Sequence, residues 1–174
     1  MWVFGYGSLL WNPGFPFIDQ RPAKLTGYRR SFSMRSIHHR GTVEDPGLVL
    51  ALDLKPDVVC DGIAFLVAPE KCADTLEYLR ERELISSAYI EKNLIIHVKA
   101  IGDVESVVYV IDESHEQYCD LPLKEQAHII AHAVGGRGPN WEYLRNTVNF
   151  LNESKIYDAD LQWLEEEVTK IRGL

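Results

Sequence analysis

Apolar positions in the first two-thirds of the chain fall in short runs rather than at helical spacing. Five runs read as strands, at residues 2–6, 47–54, 62–67, 93–100 and 106–111, because β-branched and aromatic side chains are bounded there by turn residues. Residues 29–46 lie between the first two runs. They are rich in Arg and His and carry enough turn chemistry to predict irregular chain. One helix interrupts the strands, opening at Pro69, a favoured first helical position, and running to about Ile85. The last third changes period and predicts three helices, over residues 123–133, 141–151 and 158–171. Asn140, following Pro139, is the expected N-cap of the second. Leu161, Leu164, Val168 and Ile171 form one stripe of the third. Strands followed by helices, with one helix inserted, predict an α+β fold. No internal repeat, low-complexity tract or linker divides the sequence, so residues 1–174 are read as one domain.

Composition narrows the function classes. At 174 residues and 46% hydrophobic, the chain is long enough to bury a proper core. Its net charge of −8 argues against nucleic acid, since no basic face is evident to neutralise phosphates. Glu165, Glu166 and Glu167 read as a solvated helix face. Arg29, Arg30, Arg35 and Arg40 form a local basic cluster that would suit a small anionic ligand. Three cysteines, Cys60, Cys72 and Cys119, are an odd number without motif spacing, which points away from a disulfide framework and toward a reducing cytoplasm. Trp2 opens a strand with no basic segment ahead of it, so no signal peptide is expected. No apolar run approaches the roughly 20 residues of a membrane helix.

Two features carry chemistry. The first strand breaks at once into Gly5-Tyr6-Gly7-Ser8, where glycines leave backbone N–H groups open to an anion such as a carboxylate; alternatively it is only a tight turn between core elements. The second is on the inserted helix. At about 100° per residue, Cys72, Leu76 and Leu79 share one stripe, and its next turn lands on Glu83, while Glu81 points to solvent. Burying a carboxylate is costly unless it is paired. An inward Glu83 is therefore either held structurally, with Arg82 adjacent, or poised as a general base.

Other signals are weaker. His128 and His132 have the i, i+4 spacing of metal ligands, but no third ligand is evident, and no metal site is expected. Gly135-Gly136-Arg137-Gly138 follows a helix rather than a strand, so it reads as a helix-to-helix turn and not a dinucleotide fingerprint. His38 and His39 read as loop packing, and Cys119 has no His partner at readable spacing. Tyr109 and Tyr118 could line a pocket, although aromatics at strand ends usually belong to the core.

Gly5-Tyr6-Gly7-Ser8-Leu9 taken with Arg82-Glu83 resembles the ChaC family of γ-glutamylcyclotransferases. Arg30-Ser31-Phe32, His39-Arg40-Gly41-Thr42 and Pro46-Gly47 match that family's Arg/His-rich segment. Cys60-Asp61-Gly62-Ile63-Ala64-Phe65 resembles its central strand, and Tyr89 sits six residues after Glu83 as in the family. Gly138-Pro139, Asn140 and Tyr143-Leu144 match its closing motif. The resemblance runs from residue 1 to about 150. It departs at Ser86-Ser87-Ala88, where members often carry a Gly.

The resemblance implies a compact mixed β-barrel with flanking helices and an enzyme, a lyase acting on a carbon–nitrogen bond. Its substrate would be glutathione, released as 5-oxoproline and cysteinylglycine without a cofactor. Glu83 would be the general acid/base. Tyr6, Gly7, Ser8, Leu9, Tyr89 and Tyr118 would contact substrate, and Arg35 or Arg40 would meet a carboxylate. The turn at residues 6–9 would hold either the α-carboxylate or the developing oxyanion. No obligate protein partner is evident. Competing readings are a cyclotransferase for other γ-glutamyl amines or peptides, a non-catalytic regulatory or binding protein of the same fold, and a metalloprotein built on His128 and His132.

Overall fold

Strands β1 (Trp2–Gly5), β2 (Asp19–Ser36), β3 (Gly47–Leu66), β4 (Tyr89–Val98) and β5 (Gly102–Ile111) close into a barrel in the order β1, β3, β2, β4, β5. The computed structural model describes residues 1–173. Closure comes from β1, which pairs antiparallel with β3 and parallel with β5. Helix α1 (Cys72–Glu83) follows a short 3-10 turn at Pro69–Lys71. Helices α2 (Leu123–His132), α3 (Asn140–Glu153) and α4 (Ala159–Arg172) make up the last third, with the two-residue strands β6 (Val134–Gly135) and β7 (Gly138–Pro139) between α2 and α3. The α+β class and the barrel with helices are both as expected.

The chain divides into two compact units. One comprises Met1–Arg30 and Ala51–Glu116, the other Ser31–Leu50 and the chain from Gln117 onward. The first holds β1, α1, β4, β5 and parts of β2 and β3. Its core is lined by Val3, Phe4, Phe65, Ile96, Val108 and Tyr109, each no more than 2% exposed. In the second unit Leu144, Leu151, Leu161, Leu164 and Val168 are buried along α3 and α4. Ile171, expected on the α4 stripe, is exposed instead, because it falls in the last turn. No helix among the described residues is long and apolar enough to cross a membrane.

Several element boundaries differ from the sequence reading, each for a physical reason. Residues 29–36 are not irregular: they complete β2, whose buried Ala23, Leu25, Tyr28, Arg30, Phe32 and Met34 follow a two-residue period that shifts phase at Gly27. That glycine has φ +90°, as at a bulge. Pro22 and Gly27 both lie within this strand. The runs at 47–54 and 62–67 are one strand, β3, whose exposed middle at residues 54–59 includes Pro56; proline is tolerated where its missing N–H faces solvent. Helix α1 stops at Glu83, two residues short of Ile85, and the loop beyond it places Ser87 at φ +57°.

Asn140 is not an N-cap. Its amide is wholly buried, donates to Leu48 O and accepts from Leu48 N–H, both at 2.7 Å. It thus ties α3 to the start of β3. Gly135 to Gly138 form the β6–β7 hairpin rather than a plain turn, with Gly136 N–H and Arg137 N–H donating to His38 O and His39 O.

Candidate active site

Gly5 ends β1 because a side chain there would strike the Phe65 ring, at 2.9 Å from an added Cβ. The chain then turns through Tyr6 and Gly7 into a single 3-10 turn, Ser8–Leu10, closed by Leu10 N–H donating to Gly7 O at 3.0 Å. The amides of Gly7, Ser8 and Leu9 open this turn, and the first amides of a helical turn have no acceptor inside it. Leu9 and Leu10 send their side chains into the core, leaving Leu9 only its backbone to offer a ligand. Arg30 fixes the approach to the turn, its Nη1 donating to Tyr6 O at 3.1 Å and to Asp61 O at 3.0 Å. The Tyr6 hydroxyl donates to Tyr109 O at 2.8 Å.

The end of α1 lies against the same turn. Thr75 and Leu79 are its buried positions, while Cys72 and Leu76 are half-buried. One turn beyond Leu79, the helix turns both Arg82 and Glu83 inward, their side chains 9% and 16% exposed. Glu81 is exposed. Glu83 Oε1 is buried and 3.1 Å from Arg82 Nε. Arg82 Nη2 donates to Ser8 Oγ at 2.9 Å, so one guanidinium touches both the carboxylate and the glycine turn. The inward carboxylate expected from the helical stripe is present, and so is its adjacent cation.

A second set of contacts fastens the helix to the barrel. Arg80 donates through Nε and Nη2 to the Glu91 carboxylate at 2.9 and 2.7 Å. Tyr109, paired in register with Glu91 across β4 and β5, donates its hydroxyl to the same carboxylate at 2.9 Å. The two-pronged hydrogen bond from Arg80 is the main reason that Glu91 is held below the usual carboxylate range; burial opposes it and the Tyr109 hydroxyl reinforces it. The Tyr109 phenol is pushed well above its usual value, first by burial, then by Glu91, and further by the charge of Glu83. Tyr109 is therefore a core residue whose hydroxyl lies within the electrostatic reach of Glu83.

The remaining candidates are distributed as follows. Tyr89 is the first residue of β4, opposite Ile111. Arg35 and Tyr118 belong to the second unit. There Arg35 N–H donates to Gln117 O at 2.7 Å, Gln117 Nε2 returns a bond to Arg35 O at 2.8 Å, and Tyr118 bridges to Met34. Arg40 is buried, not solvated: its Nη1 donates to Pro139 O at 3.0 Å and meets Glu142 Oε2 at 3.3 Å. The expected basic cluster is not an open patch either. Arg29 pairs with the buried Asp53 at 3.0 Å, and Arg30 and Arg40 serve backbone carbonyls. Asp53 is a second buried carboxylate absent from the sequence reading; Leu50 to Asp53 are all buried, so no alternation in β3 marks it.

His128 and His132 are exposed, with ring centroids 4.6 Å apart and His132 Nδ1 2.8 Å from His128 O. No group of three or more potential metal ligands occurs among the described residues. Cys60, Cys72 and Cys119 remain thiols rather than disulfides.

Known proteins share both the sequence and the fold. The model of the family described as ChaC-like protein matches residues 1–171. Gamma-glutamylcyclotransferase 2-3 of Arabidopsis thaliana is 34% identical over 178 residues, covering 98% of this chain and 89% of that protein. The glutathione-specific gamma-glutamylcyclotransferase of Escherichia coli (strain K12) is 32% identical over 172 residues, covering 98% and 74%. Among solved structures, that of the yeast γ-glutamyl cyclotransferase specific to glutathione superposes with a TM-score of 0.89 at 26% identity, covering 99% of this chain and 96% of that one. With the glycine turn and the inward Glu83 on a five-stranded barrel, a family match running nearly end to end leaves one assignment: the chain belongs to the ChaC-like family.

Proposed function

We propose that the protein is a γ-glutamylcyclotransferase that cleaves glutathione into 5-oxoproline and cysteinylglycine, with Glu83 as general acid and base. The observation that carries this reading is the placement of Glu83. It is an acid turned inward on the last turn of α1, and Arg82 links it to the turn that opens with Gly7, Ser8 and Leu9. Relatives that match nearly the whole chain and are named for this reaction support the same reading.

The reaction needs nucleophile and electrophile from one substrate, so proximity does much of the work. The α-amino group of the γ-glutamyl unit attacks its own γ-carbonyl and closes a five-membered lactam. Holding that unit folded on itself in a well-oriented geometry can be worth up to about 11 kcal/mol of barrier. The ammonium must first lose a proton. That first proton goes to water and frees the lone pair. Once the amine attacks, its nitrogen becomes acidic, and Glu83 accepts the second proton and returns it to the departing cysteinylglycine nitrogen. Bond formation from the amine to the γ-carbon is thus matched by cleavage of the γ-carbon–nitrogen bond, and the carboxylate ends as it began.

The amides of Gly7, Ser8 and Leu9 supply donors for the substrate α-carboxylate or for the oxyanion on the γ-carbon. Tyr6 shapes the turn from the barrel side, and Tyr89 is assigned to the rest of the substrate. We read residues 1–174 as one functional domain, because β2 and β3 run from one compact unit into the other and the family match spans both. The three thiols support a reducing, cytoplasmic location.

Product balance tests the reaction. Purified protein given reduced glutathione should yield equal amounts of 5-oxoproline and cysteinylglycine; free glutamate in place of 5-oxoproline would mean hydrolysis and overturn the cyclisation. One relative carries the broader name gamma-glutamylcyclotransferase, which favours a second reading in which other γ-glutamyl amines are accepted. Competition between glutathione and γ-glutamyl dipeptides separates the two.

A further inference from the structure

Arg82 uses its whole guanidinium group. Nη1 donates to Asn12 O at 2.8 Å, to Pro13 O at 3.2 Å and to Tyr78 Oη at 3.0 Å. Nη2 donates to Ser8 Oγ at 2.9 Å, and Nε faces Glu83 Oε1 at 3.1 Å. These acceptors come from three places: the glycine turn, the loop that follows it, and α1 itself. The loop is shaped to meet the guanidinium. Gly14 has φ +76°, and a Cβ there would lie 1.9 Å from Tyr78 Oη and 3.3 Å from Arg82 Nη1, so only glycine lets the backbone come this close. The side chain is 9% exposed, a burial that few arginines tolerate without full hydrogen bonding.

We infer that Arg82 is a positioning residue that sets the register between the glycine turn and Glu83, and so fixes the distance between bound substrate and the group that moves its proton. The inference rests on the proposed cyclotransferase reading for its kinetic consequence, but not for its structural one. A planar fork that hydrogen-bonds through Nη1 and Nη2 while Nε stands in an ion pair with Glu83 holds partners on several sides at once. A lysine ammonium is a single centre and cannot span them. Misplacement by about 1 Å can lower a rate about 100-fold.

The test compares wild type with Arg82→Lys and Ser8→Ala, which cut the same link from opposite ends. Two readouts are used: kcat and KM for glutathione, and hydrogen exchange of the Leu10 and Asn12 amides, which close the turn by donating to Gly7 O at 3.0 Å and Ser8 O at 2.9 Å. For Arg82→Lys the expected result is a kcat lower by roughly 10- to 100-fold, with KM changed less than about threefold. The turn amides should exchange at least about tenfold faster, as local opening becomes easier. Ser8→Ala should move both readouts the same way, less strongly, and it carries the test if Arg82→Lys does not fold. Arg82→Lys imposed on Ser8→Ala should then add less than it does alone.

Unchanged exchange overturns the inference, as does an unchanged kcat in an active enzyme. A raised KM at constant kcat also overturns it, because Arg82 would then be a direct substrate contact. If the wild type makes no product from glutathione, the functional reading fails instead. The exchange measurement then decides the positioning of the turn by itself.

Discussion

Glu83 and Glu91 are held by different arginines of the same helix, Arg82 and Arg80. Glu91 is clasped by Arg80 and Tyr109, and its carboxyl lies below the usual range chiefly because of the Arg80 bond. A carboxyl lowered by folding stabilises the native state at pH values above its unfolded pKa of about 4.3. That contribution is lost as pH falls toward the folded value. Glu91→Gln should therefore lower Tm at neutral pH, with the gap to wild type closing as pH drops through the carboxylate range. A gap that widens in acid would contradict the assignment. Glu83 was legible in the sequence because helical periodicity alone turns it inward. The reach of Arg82 was not, since its acceptors Ser8, Asn12 and Pro13 lie about seventy residues away in the chain, and no local pattern records a contact over that separation. The place of Arg40 was hidden for the same reason, since its partners Pro139 O and Glu142 lie about a hundred residues away.

Elements were legible where an apolar run or a helical period is uninterrupted. β1, β5 and the three closing helices meet that condition, and their centres stand where the pattern puts them. β2 and β3 do not, because Pro22, Gly27 and Pro56 interrupt their apolar runs. Long strands absorb such residues where the backbone faces solvent or bulges. Asn140 shows a second kind of miss. Asn after Pro is a good capping signal, but a buried strand end at Leu48 competes for the amide and takes it with two bonds. Asn140→Ala should leave a buried N–H and C=O of Leu48 unsatisfied. At about 1–3 kcal/mol per group, a loss of roughly 2–6 kcal/mol is expected. Thermal or urea unfolding would show it, and a change under about 0.5 kcal/mol would mean that Leu48 finds other partners.

Across the whole molecule, charge distribution separates structural from chemical use of polar residues. The chain carries −8 overall, yet its basic cluster supplies internal partners: Arg29 to Asp53, Arg30 to Tyr6 O and Asp61 O, Arg40 to Pro139 O. An anionic substrate is thus better matched to the amides of the glycine turn, which carry partial positive charge without a counter-ion. Family and fold were both legible, because ordered motifs from residue 1 to about 150 resemble one family and the barrel follows from it. The division into two compact units was not, since no composition shift or linker marks it and β2 and β3 pass through both. The central claim concerns one carboxylate. We would incubate wild type and a folded Glu83→Gln variant with reduced glutathione and quantify 5-oxoproline and cysteinylglycine. Both products from wild type, with the variant slower by at least about 100-fold as expected on losing a general acid/base, is the result the account requires. Equal product from both proteins would keep the reaction and contradict Glu83 as its acid and base.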